Sequence, residues 1–170
     1  MKSARRRSRE FALQALYQWQ LAGQSLADIE LQYAAAEGFA KADANLFSLI
    51  VSGVLKHADS LKEQLGPHLD RQWKEVSPVE GAILLIGAFE LVNLPETPYR
   101  VIINEAIELA KSFGGTDGHK YVNGILDKMA ATVRAADPDF QASIPTPKAP
   151  EKAVAVKVVT KIRRVVKAPN

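Results

Sequence analysis

Apolar positions recur every three or four residues through most of the first 134 positions, the spacing of helices that bury one face. Ala12, Ala15, Leu16 and Trp19 make such a stripe and predict a first helix over roughly 3–22, with Gly23 suited to its C-cap. Ser25, with Asp28 three residues on, starts a second helix whose inward side is Leu26, Ile29, Tyr33 and Ala36, and Gly38 ends it. Asp43 caps a third, in which Leu46, Ile50, Val54, Leu61 and Leu65 share a face until Gly66-Pro67 stops it. A short turn through Leu69 and Trp73 follows.

The strongest start signal is Ser77-Pro78-Val79-Glu80. Serine caps, proline fits the first helical position, and glutamate can reach back to the cap. The helix it opens, about 78–92, is apolar nearly all round, as expected of the buried centre of a bundle. Thr97-Pro98 repeats the cap-then-proline signal. The helix after it carries Val101, Ile102, Ala106, Leu109 and Phe113 and closes at Gly114-Gly115. A last helix, about 117–134, buries Val122, Ile125, Leu126, Met129 and Val133. No turn dipeptide sits between alternating runs, so the body is expected to be all-α. Asp137-Pro138 ends it. The stretch 138–150, with four prolines, reads as linker, and 153–167, valines mixed with cations, is expected to be disordered on its own. The division is therefore a helical domain over 1–137 and a tail over 138–170.

Composition narrows the function. The 170 residues are 47% apolar, enough for one domain with its own core, and no apolar run is long enough to span a membrane. The absence of cysteine excludes a disulfide scaffold and a thiol nucleophile, and three scattered histidines suggest no metal cluster. The net charge of +3 conceals a division: residues 1–9 hold five cations and no acid, 141–170 sum to +6, and 10–140 sum to −8. Basic ends on an acidic body suggest an anionic polymer engaged locally, and a body that itself attracts basic partners.

Three features could carry chemistry. Arg5-Arg6-Arg7-Ser8-Arg9 offers guanidinium forks for phosphates. On a helical wheel Arg6, Glu10 and Tyr17 lie opposite the core stripe, with Arg5 and Arg9 on a flank. An exposed tyrosine on the same helix as the arginines suits single-stranded RNA; a solvated helix end with a rim tyrosine is the plainer alternative. Thr116 to Tyr121 opens the last helix, where free N–H groups beside Lys120 and Tyr121 could meet a phosphate; an ordinary capped start is the alternative. Asn104-Glu105 and Asn123-Gly124 read as helix–helix contacts, and Gly81, Gly87 and Gly124 as close packing. No dinucleotide or P-loop glycine pattern is present, and Asp117 with His119 lacks a nucleophile, so catalysis and cofactors are not expected.

In three blocks the chain resembles the NusB family of bacterial transcription antitermination factors. The first is Arg5 to Glu10 followed by Ala12 to Trp19. The second is Ser77 to Leu91, ending Phe89-Glu90-Leu91. The third and most specific is Val101 to Gly114, then His119-Lys120-Tyr121-Val122-Asn123-Gly124-Ile125-Leu126-Asp127-Lys128. The resemblance covers essentially 3–134. It implies an all-α bundle of about seven helices that pairs with the small-subunit ribosomal protein NusE and binds boxA RNA of ribosomal RNA transcripts. It also implies that the complex joins the RNA polymerase elongation complex. The Arg/Ser-rich start runs without a break into a core helix ending at Trp19, so a cleaved transit peptide is not expected and the cytoplasm is the expected location. It maps RNA-facing positions onto Arg5, Arg6, Arg7, Arg9, Tyr17, Asp117, Lys120 and Tyr121, with Asp117 expected to act by shaping the helix start. Many relatives carry an arginine where this chain has Leu85, so the core there is expected to be apolar. The tail lies outside the resemblance. Two other readings stand beside it. One is a role in ribosomal RNA modification, because NusB-like domains also occur fused to cytosine methyltransferases; the other is a protein-only scaffold.

Overall fold

A computed structural model describes residues 1–144. They form seven α-helices and no strand: α1 (Ala4–Ala22), α2 (Leu26–Ala34), α3 (Ala44–Leu65), α4 (Pro78–Asn93), α5 (Tyr99–Phe113), α6 (Gly118–Val133) and α7 (Pro138–Ser143). Short 3₁₀ turns occupy Phe39–Lys41, Gly66–His68 and Trp73–Glu75. The caps are chemical. The side chains of Ser3, Ser25, Asp43 and Ser77 accept from the backbone N–H groups of Arg6, Asp28, Leu46 and Glu80. Gly23 closes α1 at φ 65°, a conformation that favours glycine. Thr97 does not cap. Pro98 precedes α5 without a side-chain bond, and Thr97 is buried with its carbonyl accepting from Arg134.

Every residue of α4 from Gly81 to Leu91 is buried, because the helix is enclosed by α1, α3, α5 and α6. Leu85 is fully buried among apolar neighbours. Two glycines set how closely α4 is packed. A β-carbon on Gly53 of α3 would overlap the Phe89 ring, and one on Gly87 would stand 2.6 Å from Leu126 Cδ1 of α6. Under α1 and α2, the rings of Phe11, Tyr33, Phe39 and Phe47 form edge-on and tilted contacts at 5.1–6.1 Å. Ser8, fully buried, donates to the Asp43 carbonyl at 2.6 Å and ties α1 to the start of α3.

Arg134, at the end of α6, is 5% exposed and closes the far end of α4. Its Nε donates to the Leu91 carbonyl at 2.7 Å, its Nη2 to Leu94 at 2.9 Å, and its Nη1 to Thr97 at 3.2 Å. The Leu91 carbonyl, which the ending helix leaves without an N–H partner, is thus satisfied, and the same guanidinium ties down the Leu94 and Thr97 carbonyls of the connection to α5.

The linker expectation fails at its first six residues. Pro138–Ser143 is helical, opened by Asp137 accepting from Asp139, and it packs on the body. Phe140 meets Tyr99 edge-on at 5.2 Å, and the Tyr99 hydroxyl donates to Ser143 Oγ at 2.8 Å. The Asp137-Pro138 signal that reads as an ending is also an N-cap followed by a first-turn proline. The rest of the expected basic tail, 145–170, lies outside the described residues.

Candidate nucleic-acid interface

The four N-terminal arginines divide into two pairs of opposite role. Arg9 is 3% exposed and points into the bundle, where its Nε and Nη2 fork onto the Glu90 carboxylate of α4 at 2.8–3.2 Å. Its Nη1 is 4.0 Å from Glu105 of α5. Arg6 grips the same Glu105 from outside, at 3.0 and 2.9 Å, and this raises the Arg6 pKa further above its ordinary value. Two arginines and two glutamates therefore knit α1, α4 and α5 into a neutral cluster. The expected phosphate contact at Arg9 is corrected. Its side chain is a structural ion pair, with no face toward solvent. The wheel placed Arg9 on a flank because it could not know that an acid waits inside α4. Arg5 is exposed and Arg7 half-buried, and neither forms an ion pair among the described residues. Lys2 is held by Glu10 at 2.7 Å.

Tyr17 is 39% exposed, as the wheel predicts, but it does not stand beside the arginines. It shares a face with Arg6 alone among them, three turns further on, about 16 Å along the axis. Its neighbours are mostly apolar: with Leu13, Leu21, Val79 and Phe113, and with Gln14 and Gln18 beside them, it lines an open groove of about 480 Å³ between α1, the start of α4 and the end of α5. Leu21 and Phe113 are exposed at 63% and 42%, an apolar patch of the kind that marks contact surfaces.

From Phe113 the chain passes through Gly114–Asp117 into α6, where the second group of expected residues lies. Asp117 occupies the left-handed region at φ 61°, uncommon for a residue with a side chain. Its carbonyl accepts from the N–H groups of Lys120 and Tyr121, and its carboxylate meets Lys120 Nζ at 3.1 Å without capping the helix. Asp117 thus shapes the start of α6, and Lys120 stays 72% exposed. Gly118 is buried against Glu80, whose carboxylate would have to move aside for a β-carbon.

Tyr121 is half-buried. The Arg71 guanidinium covers one ring face at 4.4 Å, a cation–π contact, and the Tyr121 hydroxyl is buried without a hydrogen-bond partner. That burial raises its pKa above the ordinary phenol value, with Arg71 pulling the other way. Arg71 itself chelates Asp70 at 2.8 and 3.2 Å, which lowers the Asp70 pKa. Beside this stack is a hollow lined by His68, Asp70, Lys120, Tyr121, Gly124, Ile125 and Lys128. Gly81 and Gly87 pack closely, as expected, but a β-carbon on Gly124 would meet nothing within 4 Å. Glycine inside a helix costs about 0.5–1 kcal/mol relative to alanine, and no packing offsets it here. Arg71 and His68 carried no sequence signal, since the turn that brings them to α6 is a tertiary contact, and Lys128 stood in the third family block without a role assigned to it. Asn104 is exposed and its side chain makes no hydrogen bond among the described residues, while Glu105 does bridge helices as expected. Among those residues, no group of histidines and acids could hold a metal, and no helix is long and apolar enough to cross a membrane.

The NusB family model matches residues 6–131. The chain belongs to the NusB family. NusB proteins of Dechloromonas aromatica and Nitrosomonas europaea, both described as transcription antitermination proteins, are each 59% identical. The matches cover 78% and 80% of this chain and 82% and 81% of those relatives. Among solved structures, T. maritima NusB superposes with a TM-score of 0.68 at 30% identity, over 76% of this chain and 92% of that one. The NusB fold also recurs, at 20% identity and a TM-score of 0.63, in a complex of antitermination factors NusB and NusE with double-stranded RNA; that match covers 75% of this chain and 96% of that one.

Proposed function

We propose that this NusB-family chain is a non-catalytic transcription antitermination factor. In this reading it binds boxA RNA of ribosomal RNA transcripts together with NusE and joins the elongating RNA polymerase. The observation that carries the reading is family membership over residues 6–131, with 59% identity over 133 residues to a named antitermination protein. Surface chemistry supports it. Arg5 and Arg7 are available to phosphates at one end of α1, and Lys120 stands beside the Arg71–Tyr121 stack at the start of α6. The apolar groove between these ends, with Tyr17, Leu21 and Phe113 on its lip, offers contact area to a protein partner. The acidic body, −8 over 10–140, steers a basic ribosomal protein toward it. Arg6 and Arg9, committed to Glu105 and Glu90, serve the fold first.

The test is titration of boxA and scrambled RNA, with and without NusE, at several salt concentrations. NusE should raise boxA affinity more than scrambled affinity. Alanine at Arg5 and at Arg7 should each reduce the log–log salt slope by about 0.7. Equal affinity for both RNAs in the presence of NusE would overturn the reading. The rival role in RNA modification would show itself as methyl transfer to ribosomal RNA.

A further inference from the structure

Between α5 and α6 runs an open hollow of about 300 Å³, walled by Arg100 and Asn104 from one helix and Asn123 and Asp127 from the other. Each wall is an i,i+4 pair on one helix face. Tyr99 and the 5% exposed Ile103 form its apolar side. Among the described residues, neither asparagine side chain makes a hydrogen bond and Asp127 has no cationic partner. Burial raises the Asp127 pKa. Two carboxamides, each with a donor pair and an acceptor, beside such a carboxylate suit a peptide backbone that carries a cation. The chain itself arrives at this place. The Tyr99 hydroxyl donates to Ser143 Oγ at 2.8 Å, Arg100 Nε donates to that hydroxyl at 3.1 Å, and the Asp127 charge reaches it. The described residues stop one position later, at Ile144, 55% exposed. The sequence continues Pro145-Thr146-Pro147-Lys148-Ala149-Pro150. In a polyproline helix of three residues per turn, Pro147 and Pro150 share a face and Lys148 lies on another. Lys148, four residues past Ile144, reaches about 12 Å in that form, roughly two turns of α6. Prolines lack N–H groups, so the carbonyls of such a segment need donors from elsewhere.

We propose that the chain's own segment 145–150 straps across α5 and α6 in this hollow. The Asn104 and Asn123 side-chain amides donate to its carbonyls, Pro147 and Pro150 lie against Tyr99 and Ile103, and Lys148 pairs with Asp127. A proline-rich strand loses little entropy on docking against an aromatic-lined groove. The tether makes the contact intramolecular: at an effective concentration of about 1 mM, even a weak interaction closes it. α7 is then the first part of a longer clasp, and the cations of 153–170 start from a fixed point on the body. The clasp needs neither RNA nor NusE.

The experiment uses the full chain, free of RNA and partner. Because the sequence holds no cysteine, Ala153→Cys carries a single spin label just past the strap. In an isotope-labelled sample, NMR should show the Asn104 and Asn123 side-chain amides losing most of their intensity, and regaining it when the label is reduced. Lys148→Glu lies outside the helical body and should relieve that broadening; adding Asp127→Lys, a swap of the two charges, should bring it back. Asn104→Ala with Asn123→Ala should melt with the parent and also lose the broadening. Broadening spread evenly over the surface, centred on another face, or unchanged in Lys148→Glu overturns the strap. So does broadening of equal strength when a spin-labelled chain is mixed with an isotope-labelled chain that carries no spin label, because the hollow would then take the tail of a second copy. A hollow left untouched by the label belongs to some other occupant and overturns it as well.

Discussion

Replacing Arg9 separates folding from RNA binding in what reads as a single basic run. In the structure its side chain is 4% exposed and forks onto a Glu90 carboxylate that is 1% exposed. Arg9→Met keeps the length and apolar stem of the side chain but leaves Glu90 charged inside the bundle. Breaking one partner of a buried pair costs about 3–5 kcal/mol, against a total stability of about 5–15 kcal/mol for a domain. At about 2–4 °C per kcal/mol for a chain of this size, the melting temperature should fall by roughly 6–20 °C. Arg6, already forked onto Glu105, cannot replace the lost cation. Arg9→Met with Glu90→Met removes both charges from the interior and should recover most or all of the stability, since well-packed apolar replacements of buried pairs are often neutral or stabilising. Urea unfolding followed by circular dichroism, run as a double-mutant cycle, measures both steps. In RNA titrations the double variant should keep the salt slope of the parent. A single variant that loses less than about 1 kcal/mol would refute the reasoning. So would a double variant whose slope falls by about 0.7, because Arg9 would then be a phosphate contact.

Arg134→Met should cost about 1–3 kcal/mol by urea unfolding, because the Leu91 carbonyl is left buried without a donor while Leu94 still accepts from Thr97 N–H, and Arg134→Lys should restore only part, having no planar fork. Alanine at two mid-helix glycines should act in opposite directions: Gly53→Ala destabilises because the Phe89 ring fills that space, with Phe89→Leu as its partial rescue, whereas Gly124→Ala stabilises by about 0.5–1 kcal/mol. Burial raises the pKa of Tyr33 and of Tyr121 above the ordinary phenol value of 10.0. The folded state then keeps protons that the unfolded chain has released, so their contribution is intact below about 10 and is lost as pH rises through the folded values. Tyr33→Phe should flatten that alkaline loss and remove a late component from the phenolate absorbance titration; an unchanged alkaline profile would refute it.

Helix periods, caps and glycine stops were legible along the chain because they are local. Ser25, Asp43, Ser77 and Gly23 act where their neighbours in sequence imply, and the all-round apolar character of 78–92 could mean only an enclosed helix. The family blocks likewise lie on the surface of the sequence, and with them the reading of antitermination. What the linear order could not hold was which charge meets which. Arg5, Arg6, Arg7 and Arg9 are chemically alike in a row. Only the arrival of Glu90 from α4 and Glu105 from α5 turns Arg9 inward and half-engages Arg6, leaving Arg5 and Arg7 free of acidic partners among the described residues. Arg134 gains its role from the end of α4, some forty residues earlier, and 138–143 is helical because Phe140 and Ser143 find Tyr99. Gly124 looks in sequence like Gly87. One lies under Leu126 and the other under open solvent, and that difference is decided by the direction each faces once six helices have packed.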